Sequence, residues 1–321
     1  MAWADGKPLR HDALLTEFAI RAFNTGSDQF IAEQVFPSVP VDEQSDRYPI
    51  INQDGFFREY DTLRAPRGRA RLVSFDVSSD SYYAENHALA ADYPLEDLAN
   101  AARAFQVREN HTTLITEGLR RGQEIRIANI ITSGTNSGAW TSCDGSQKWS
   151  VVNSADILGM VSSAHETIRM ATGFTPNTVV IDHNTLILAK RNARLLDLFK
   201  FTRSGELTDE IIRTQIFKVD RMLVGKGIKN TSPPGIAKVN VNIWGNVCWF
   251  GYTQPTVTGL QAATFGARMQ WKPVGFPSPM AVQRDQFTKA GEPKVEVVEA
   301  MYWQDEKVLA KDLGYAITNT V

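Results

Sequence analysis

Four arginines, Arg64, Arg67, Arg69 and Arg71, fall within eight residues, and no acid lies between Asp61 and Asp76. Guanidinium groups at strand spacing can track phosphates of a nucleic acid. They can also stand in water at a hairpin tip, or pair with carboxylates on a neighbouring copy of the chain. One exposed pair contributes only ~0.2 to 1 kcal/mol, but symmetry repeats it, and this third reading is favoured. The four arginines are therefore the expected intersubunit contacts.

Other combinations able to do chemistry are weaker. Asp182-His183-Asn184 sits where a strand is expected to meet a helix, a frequent place for active residues, yet short polar side chains there also cap helices, and capping is the favoured reading. His11, His87, His111, His165 and His183 show no H-x-H or H-x-x-x-H spacing, so no local metal site is encoded. Lys226 lies in Val224-Gly225-Lys226-Gly227, but a phosphate loop needs glycine where Asp220 stands and a hydroxyl where Gly227 stands. Neither G-x-S-x-G nor G-x-G-x-x-G occurs. Cys143 and Cys248 suit neither a disulfide framework nor a metal knuckle. Carboxylates such as Glu296 and Glu299 read as surface charges. No catalytic, cofactor-binding or metal residue is expected, and the chain is not read as an enzyme.

The elements that would position the arginines follow from periodicity. Leu14, Leu15, Phe18, Ala19, Ala22 and Phe23 recur at helical spacing over Asp12 to Phe23. A short turn from Gln29 stops at Phe36-Pro37, and Val39 to Asn52 reads as an extended arm that needs a surface to lie on. A hairpin is expected next: Phe56 to Tyr60, a tip at Ala65 to Gly68, and a return strand from Arg69 to Tyr83. The return strand's apolar face, Val73, Phe75 and Val77, becomes cationic towards the tip at Arg71, Arg69 and Arg67.

A helix is expected to open around Pro94, and a longer one to run from Val107 to Thr132. Leu114, Ile115, Leu119, Ile125, Ala128 and Ile131 supply its inner face, with Glu117, Arg120, Arg121, Glu124 and Arg126 outside. Gly118 and Gly122 suggest close approach of another backbone. Then follow a glycine- and serine-rich connection over 133–150, a helix from Ala155 to Ala171 ending at Gly173, a buried strand from Asn177 to Asp182, helices over Asn184 to Phe199 and Thr208 to Ile216, and a strand from Val219 to Val224. Strands are expected between Val239 and Trp271, over the alternating Val295 to Trp303, and near Gly314 to Thr318.

Composition bounds the class. With 321 residues the chain holds about two domains or one elaborated one. At 43% apolar and 22% charged it is ordinary globular material. The 34 basic side chains against 36 acidic ones give no broad attraction for DNA, RNA or an anionic membrane. Charges throughout the first thirty residues leave no secretory core, and polar residues interrupt the longest charge-free run.

In this order, several segments resemble the major capsid proteins of tailed bacteriophages, those with the Hong Kong ninety-seven fold. They are Phe30-Ile31-Ala32-Glu33-Gln34-Val35-Phe36-Pro37-Ser38-Val39-Pro40-Val41, Ser45-Asp46-Arg47-Tyr48-Pro49, Arg64-Ala65-Pro66-Arg67-Gly68, Ser78-Ser79-Asp80-Ser81-Tyr82-Tyr83, the Trp149 segment, and Thr172-Gly173-Phe174-Thr175-Pro176-Asn177-Thr178 running into Val179-Val180-Ile181. The similarity runs from about residue 14 to 310.

The resemblance implies an α+β capsid fold: an N-terminal arm over 1–50, an extended β-hairpin loop over 51–92, a peripheral domain with a long spine helix over 93–174, an axial αβ domain over 175–275, and a return to the peripheral domain over 276–321. It further implies hexamers and pentamers closing into an icosahedral head around double-stranded DNA contacted without sequence preference, a virion location with assembly in the host cytoplasm, and a portal and a decoration protein as partners. Some relatives carry a long N-terminal scaffolding segment; here the arm begins almost at once, so a separate scaffolding protein is expected. Some also crosslink through a lysine of the extended loop, but residues 51–92 contain none, so no crosslink from that loop is expected. A bacterial encapsulin nanocompartment is the nearest alternative within the fold. Glu292, Glu296, Glu299, Asp305 and Glu306 are the candidate acids for the loop arginines, on density of charge alone.

Overall fold

The computed structural model describes residues 10–11, 15–17, 19, 29–51, 59–60, 62–64, 68–70, 72, 77–95, 104–133, 136–200, 207–233, 235–254, 263–276, 278–288 and 294–321. In chain order, β1 (Arg10–His11), a short helix Ala32–Val35, β2 (Ser38–Val41), β3 (Ser45–Ile51), β4 (Val77–Tyr83) and β5 (Glu85–Pro94) lead into the 29-residue spine helix Ala104–Thr132, ~43 Å long. After it come β6 (Ala139–Ser142), helix Ile157–Thr172, β7 (Thr178–Asp182), helices His183–Lys190 and Ala193–Phe199, β8 (Arg221–Gly225), β9 (Ile228–Asn230) and β10 (Asn240–Asn242). The chain closes with β11 (Cys248–Gly251), β12 (Gly266–Trp271), β13 (Met280–Thr288), β14 (Lys294–Val308) and β15 (Gly314–Thr318). No helix among the described residues is long and apolar enough to cross a membrane.

Two sheets share the spine helix. The first runs β6-β15-β11-β7-β8; the second runs β1-β13-β14-β12-β2, with β5 also paired to β14. Helix Ile157–Thr172 covers one face of the first sheet through Val161, Ala164 and Ile168 against Val179, Ile181, Phe250 and Ile317. Asp156 accepts from the Gly159 N–H at its start, and Gly173 ends it in the left-handed region (φ 75°) that favours glycine. The other face meets Ile127, Ala128 and Ile131 of the spine helix through Val180, Leu223, Trp249 and Ala316. Earlier turns of the same helix, at Ile115 and Leu119, pack on Val282, Val298, Ala300 and Tyr302 of the second sheet.

Midway along that helix lies Glu124, 0% exposed. Its carboxylate accepts from the backbone N–H of Ile31 (3.1 Å) and Ala32 (2.8 Å) and from Trp244 Nε1 (2.5 Å). It thereby caps the start of helix Ala32–Val35, which has no side-chain cap of its own. Burial pushes this carboxyl up; the N–H donors and then Arg120 pull it back. Arg120 is also buried, its guanidinium 5.4 Å from the centre of the Phe30 ring.

Several expectations need correction. Arg120 and Glu124 lie inside, whereas Leu114 is 68% exposed: the inner stripe curves from one sheet to the other, so a single wheel misassigns it. Gly118 makes room for a side chain, since a Cβ there would fall 2.9 Å from Leu89 Cδ1, and Gly122 meets only an ordinary contact with Arg126. Pro94 ends a ten-residue strand paired along its whole length with β14, and Leu95 is the first helical residue after it. Alanines on both faces of Glu85–Pro94 erase the period-two signal, and pairing supplies the strand instead. The partner of β4 is β3, from Ser45↔Tyr83 to Ile51↔Val77; Glu59 and Tyr60 are in no strand. The arm finds its surface within its own chain, as Ser38–Val41 pairs in parallel with Arg268–Trp271. Asn192 divides the expected 184–199 helix in two by capping the second part at Leu195 N.

Replacing Glu124 by leucine strands three buried N–H donors. We expect Glu124→Leu to lower the unfolding free energy of the unassembled subunit by ~3 kcal/mol or more, and Glu124→Gln, which keeps one acceptor oxygen, to lower it less. Equilibrium urea unfolding measures both, and a loss below ~1 kcal/mol for the leucine variant would remove the carboxylate's structural role.

Candidate assembly surface

The β3–β4 ladder is the root of a tongue. Tyr48 and Tyr82 lie on its inner face with Val39, Ala267 and Met269. The Tyr48 hydroxyl donates to Asp80 Oδ2 (3.2 Å) and the Tyr82 hydroxyl to the Glu43 carbonyl (3.1 Å). Burial, and then the Asp80 charge, push the Tyr48 hydroxyl up, so it stays a donor at every physiological pH. Trp271 Nε1 donates to the Asp42 carbonyl (3.0 Å), and the Tyr83 N–H donates to Asp305 Oδ2 (2.9 Å). Five contacts of this kind tie the root to the second sheet and leave the tip outside it.

On the tongue, Arg64 and Arg69 are exposed. Arg67 and Arg71, expected beside them, lie outside the described residues, as do Val73 and Phe75. Sequence reasoning missed the leucines that accompany the arginines: Leu63 is 89% and Leu72 97% exposed. Two bare leucines flanking cations describe a surface that loses free energy in water and gains it on contact, ~25 cal/mol per Å² of apolar area covered.

The five candidate acids separate by their parity on β14. Glu296 and Glu306 point towards the spine helix. Glu296 is fully buried, held by Arg108 (2.6 Å) and by the Tyr93 hydroxyl (2.6 Å). Glu306 is paired with Arg126 (2.8 Å), which also donates to the Tyr302 hydroxyl. On the opposite face, Asp305 accepts from Tyr83 N and meets Lys307 at 3.3 Å. Glu299 is half-buried, and burial alone raises its carboxyl above the usual range. Glu292 lies outside the described residues. The reading of Glu296 as a surface charge is thus overturned, and Glu296 and Glu306 hold the spine helix to its sheet.

Elsewhere the polar residues serve structure. Asp182 is buried and caps helix His183–Lys190, its Oδ2 accepting from Asn184 N (3.0 Å) and Asn242 Nδ2 (3.3 Å), while His183 is exposed. His165 lies 2.8 Å from the Phe217 carbonyl, with burial lowering its pKa, and His111 stacks on Tyr93. Among the described residues no group of three or more metal-ligating side chains converges. Cys143 and Cys248 are buried, free thiols, both raised by burial.

We expect Glu296→Ala, which leaves Arg108 and Tyr93 without their buried acceptor, to cost ~3 to 5 kcal/mol of subunit stability. Glu299→Ala removes a carboxylate that holds nothing in its own chain and should change stability by no more than ~0.5 kcal/mol. Thermal and urea unfolding of the two subunits side by side would reveal equal losses if this division were false.

No known protein-family profile matches the chain. It is 24% identical over 317 residues to the major capsid protein of Pseudomonas phage JBD67, covering 98% of each chain. It is also 26% identical over 220 residues to the major capsid protein of Burkholderia phage BcepMu, covering 68% of this chain and 69% of that one. Among solved structures, a phage-related protein of Bordetella bronchiseptica superposes with a TM-score of 0.75 at 20% identity over 98% of both chains. The capsid of cyanophage P-SCSP1u does so with a TM-score of 0.60 at 11% identity, over 99% of this chain and 92% of that one. The chain is a homologue of phage major capsid proteins, built on the phage capsid fold, and its function is structural and not enzymatic.

Proposed function

We propose that this chain is the repeating subunit of an icosahedral phage head, assembled as hexamers and pentamers around double-stranded DNA, with the tongue of each copy lying on the next. The observation that carries the reading is the alignment with a phage major capsid protein over 98% of both lengths. The exposed Leu63, Arg64, Arg69 and Leu72 support the intersubunit role of the tongue. Arg67 and Arg71 belong to the same contact on the strength of their spacing. Head-to-tail contacts between identical chains close into rings, and projecting segments build large interfaces from modest individual contacts.

The division of labour we propose keeps 1–50 as the arm, 51–92 as the extended loop, 93–174 with 276–321 as the peripheral domain, and 175–275 as the axial domain. β6 and β15 add to the sheet of β7, β8 and β11, so the axial and peripheral parts share a hydrogen-bonded sheet and should move together. A scaffolding protein, a portal and a decoration protein are the proposed partners, DNA is met without sequence preference, and assembly takes place in the host cytoplasm. An encapsulin-type compartment is less well supported, since both curated relatives are phage proteins.

The chain expressed with its scaffolding partner should yield uniform spherical particles in sedimentation velocity and negative-stain microscopy; a compact monomer under those conditions would overturn the reading. Replacing Arg64, Arg67, Arg69 and Arg71 together by alanine should reduce the particle fraction while the subunit's melting curve is unchanged. If particle yield holds and only salt-sensitive DNA binding is lost, the arginines contact nucleic acid instead. Denaturing gels of particles should show single chains, because no lysine lies in residues 51–92.

A further inference from the structure

The register of β14 sets Glu299 between Ala90 of β5 and Gln283 of β13. Two residues along, Val297 faces Asp92. Glu299 and Asp92 therefore share one face of the six-stranded sheet as diagonal neighbours, ~7 to 8 Å apart. Ala88, opposite Met301, stands on the same face, and Ala88, Ala90 and Asp92 are all exposed. Among the described residues neither acid has an ion-pair or hydrogen-bond partner. The other β14 acids are taken up within the chain: Glu296 by Arg108, Glu306 by Arg126, and Asp305 by Tyr83 and Lys307. A half-buried carboxylate without a counter-ion costs free energy that an arriving guanidinium would recover.

The surroundings match the tongue in charge and in shape. Residues 72–102 carry six acids and no lysine or arginine, whereas residues 62–75 carry four arginines and no acid. The alanines make a low floor beside the acids, and the tongue's arginines are flanked by leucines that stand almost wholly in water. Because Leu63 and Leu72 are bare in the single chain, the tongue does not already lie on this face of its own subunit.

We propose that this face of the six-stranded sheet is where a second copy of the chain seats its tongue: Glu299 and Asp92 receive Arg64 and Arg69, while Leu63 and Leu72 cover Ala88 and Ala90. The assignment rests on the intersubunit reading of the tongue and names the surface that reading lacks.

Charge exchange tests it, read as the particle fraction in sedimentation velocity with the scaffolding partner present. Arg64→Glu with Arg69→Glu should cut that fraction about tenfold or more, and so should Asp92→Arg with Glu299→Arg, because like charges then meet at the contact. Combining all four substitutions should restore most of it. If the tongue variant assembles as well as the parent, the intersubunit reading itself fails. If the tongue variant is defective but the Asp92 and Glu299 variant assembles normally, or the combination fails to recover, the tongue reading stands and this receiving face is wrong.

A second measurement covers variants that do not fold. Arg69→Cys with Glu299→Cys, treated with a short bismaleimide, should give dimers and higher ladders on denaturing gels, while Arg69→Cys with Glu117→Cys, on the exposed side of the spine helix, should not. The native thiols are buried and leave the background low. Equal ladders from both pairs, or none from the first, would overturn the assignment.

Discussion

A single carboxylate holds the parts of this subunit in register. Glu124 sits where the spine helix passes from one sheet to the other, and its two oxygens take the N–H groups that open helix Ala32–Val35 and the indole N–H of Trp244. Without an acceptor those donors would be buried and unpaired, each at a cost of ~1 to 3 kcal/mol. The carboxyl's pKa is raised by burial, so the protonated form contributes stability at low pH that is lost as pH rises through the folded-state value. The charged form is held at neutral pH by the donors aimed at it. Position follows from this: β2 begins three residues after that short helix and pairs with β12, and the tongue is rooted directly beyond β2.

The rooting explains how a weak contact can be specific. Tyr48 and Tyr82 bury the base of the tongue and Asp305 takes the Tyr83 N–H, so the tip is presented from a fixed platform and less freedom is lost on association. The exposed leucines supply area and the arginines supply direction. Each contact is modest, but every copy in a closed ring both gives and receives one, and the sum grows with the number of subunits.

Much of this was legible in the sequence. The helix ended by Gly173, the fully buried strand Thr178–Asp182 and the cap at Asp182 are local signals, a left-handed glycine, a continuous apolar run and a short acid before a helix. The spine helix was found to within three residues of its start. What escaped was set by distant partners. Nothing local in Glu85–Pro94 marks a strand, because its alanines fit either face; its ladder with β14 comes from residues more than two hundred positions away. Ser45–Ile51 looked like loose arm because its partner lies beyond the intervening tongue. Glu124 and Arg120 were placed outside because charge on a helix usually marks water, and only a second element bringing N–H donors to the same point reverses that expectation.

The acids of β14 show the same limit and its physical remedy. Density of charge could not rank Glu296, Glu299, Asp305 and Glu306, since all sit in one strand within eleven residues. Alternation ranks them once the direction of the spine helix is known. Even positions point at its arginines and become part of the core; odd positions point away and are left for something outside the helix layer. One strand thereby serves two ends, with Glu296 and Glu306 binding the subunit to itself and Glu299 facing outward at the level of the exposed alanines. A substitution's effect then follows from parity as much as from chemistry. The same glutamate-to-alanine change acts on folding at 296, where it strands a buried arginine, and on a neighbour at 299, where the subunit's own core is untouched.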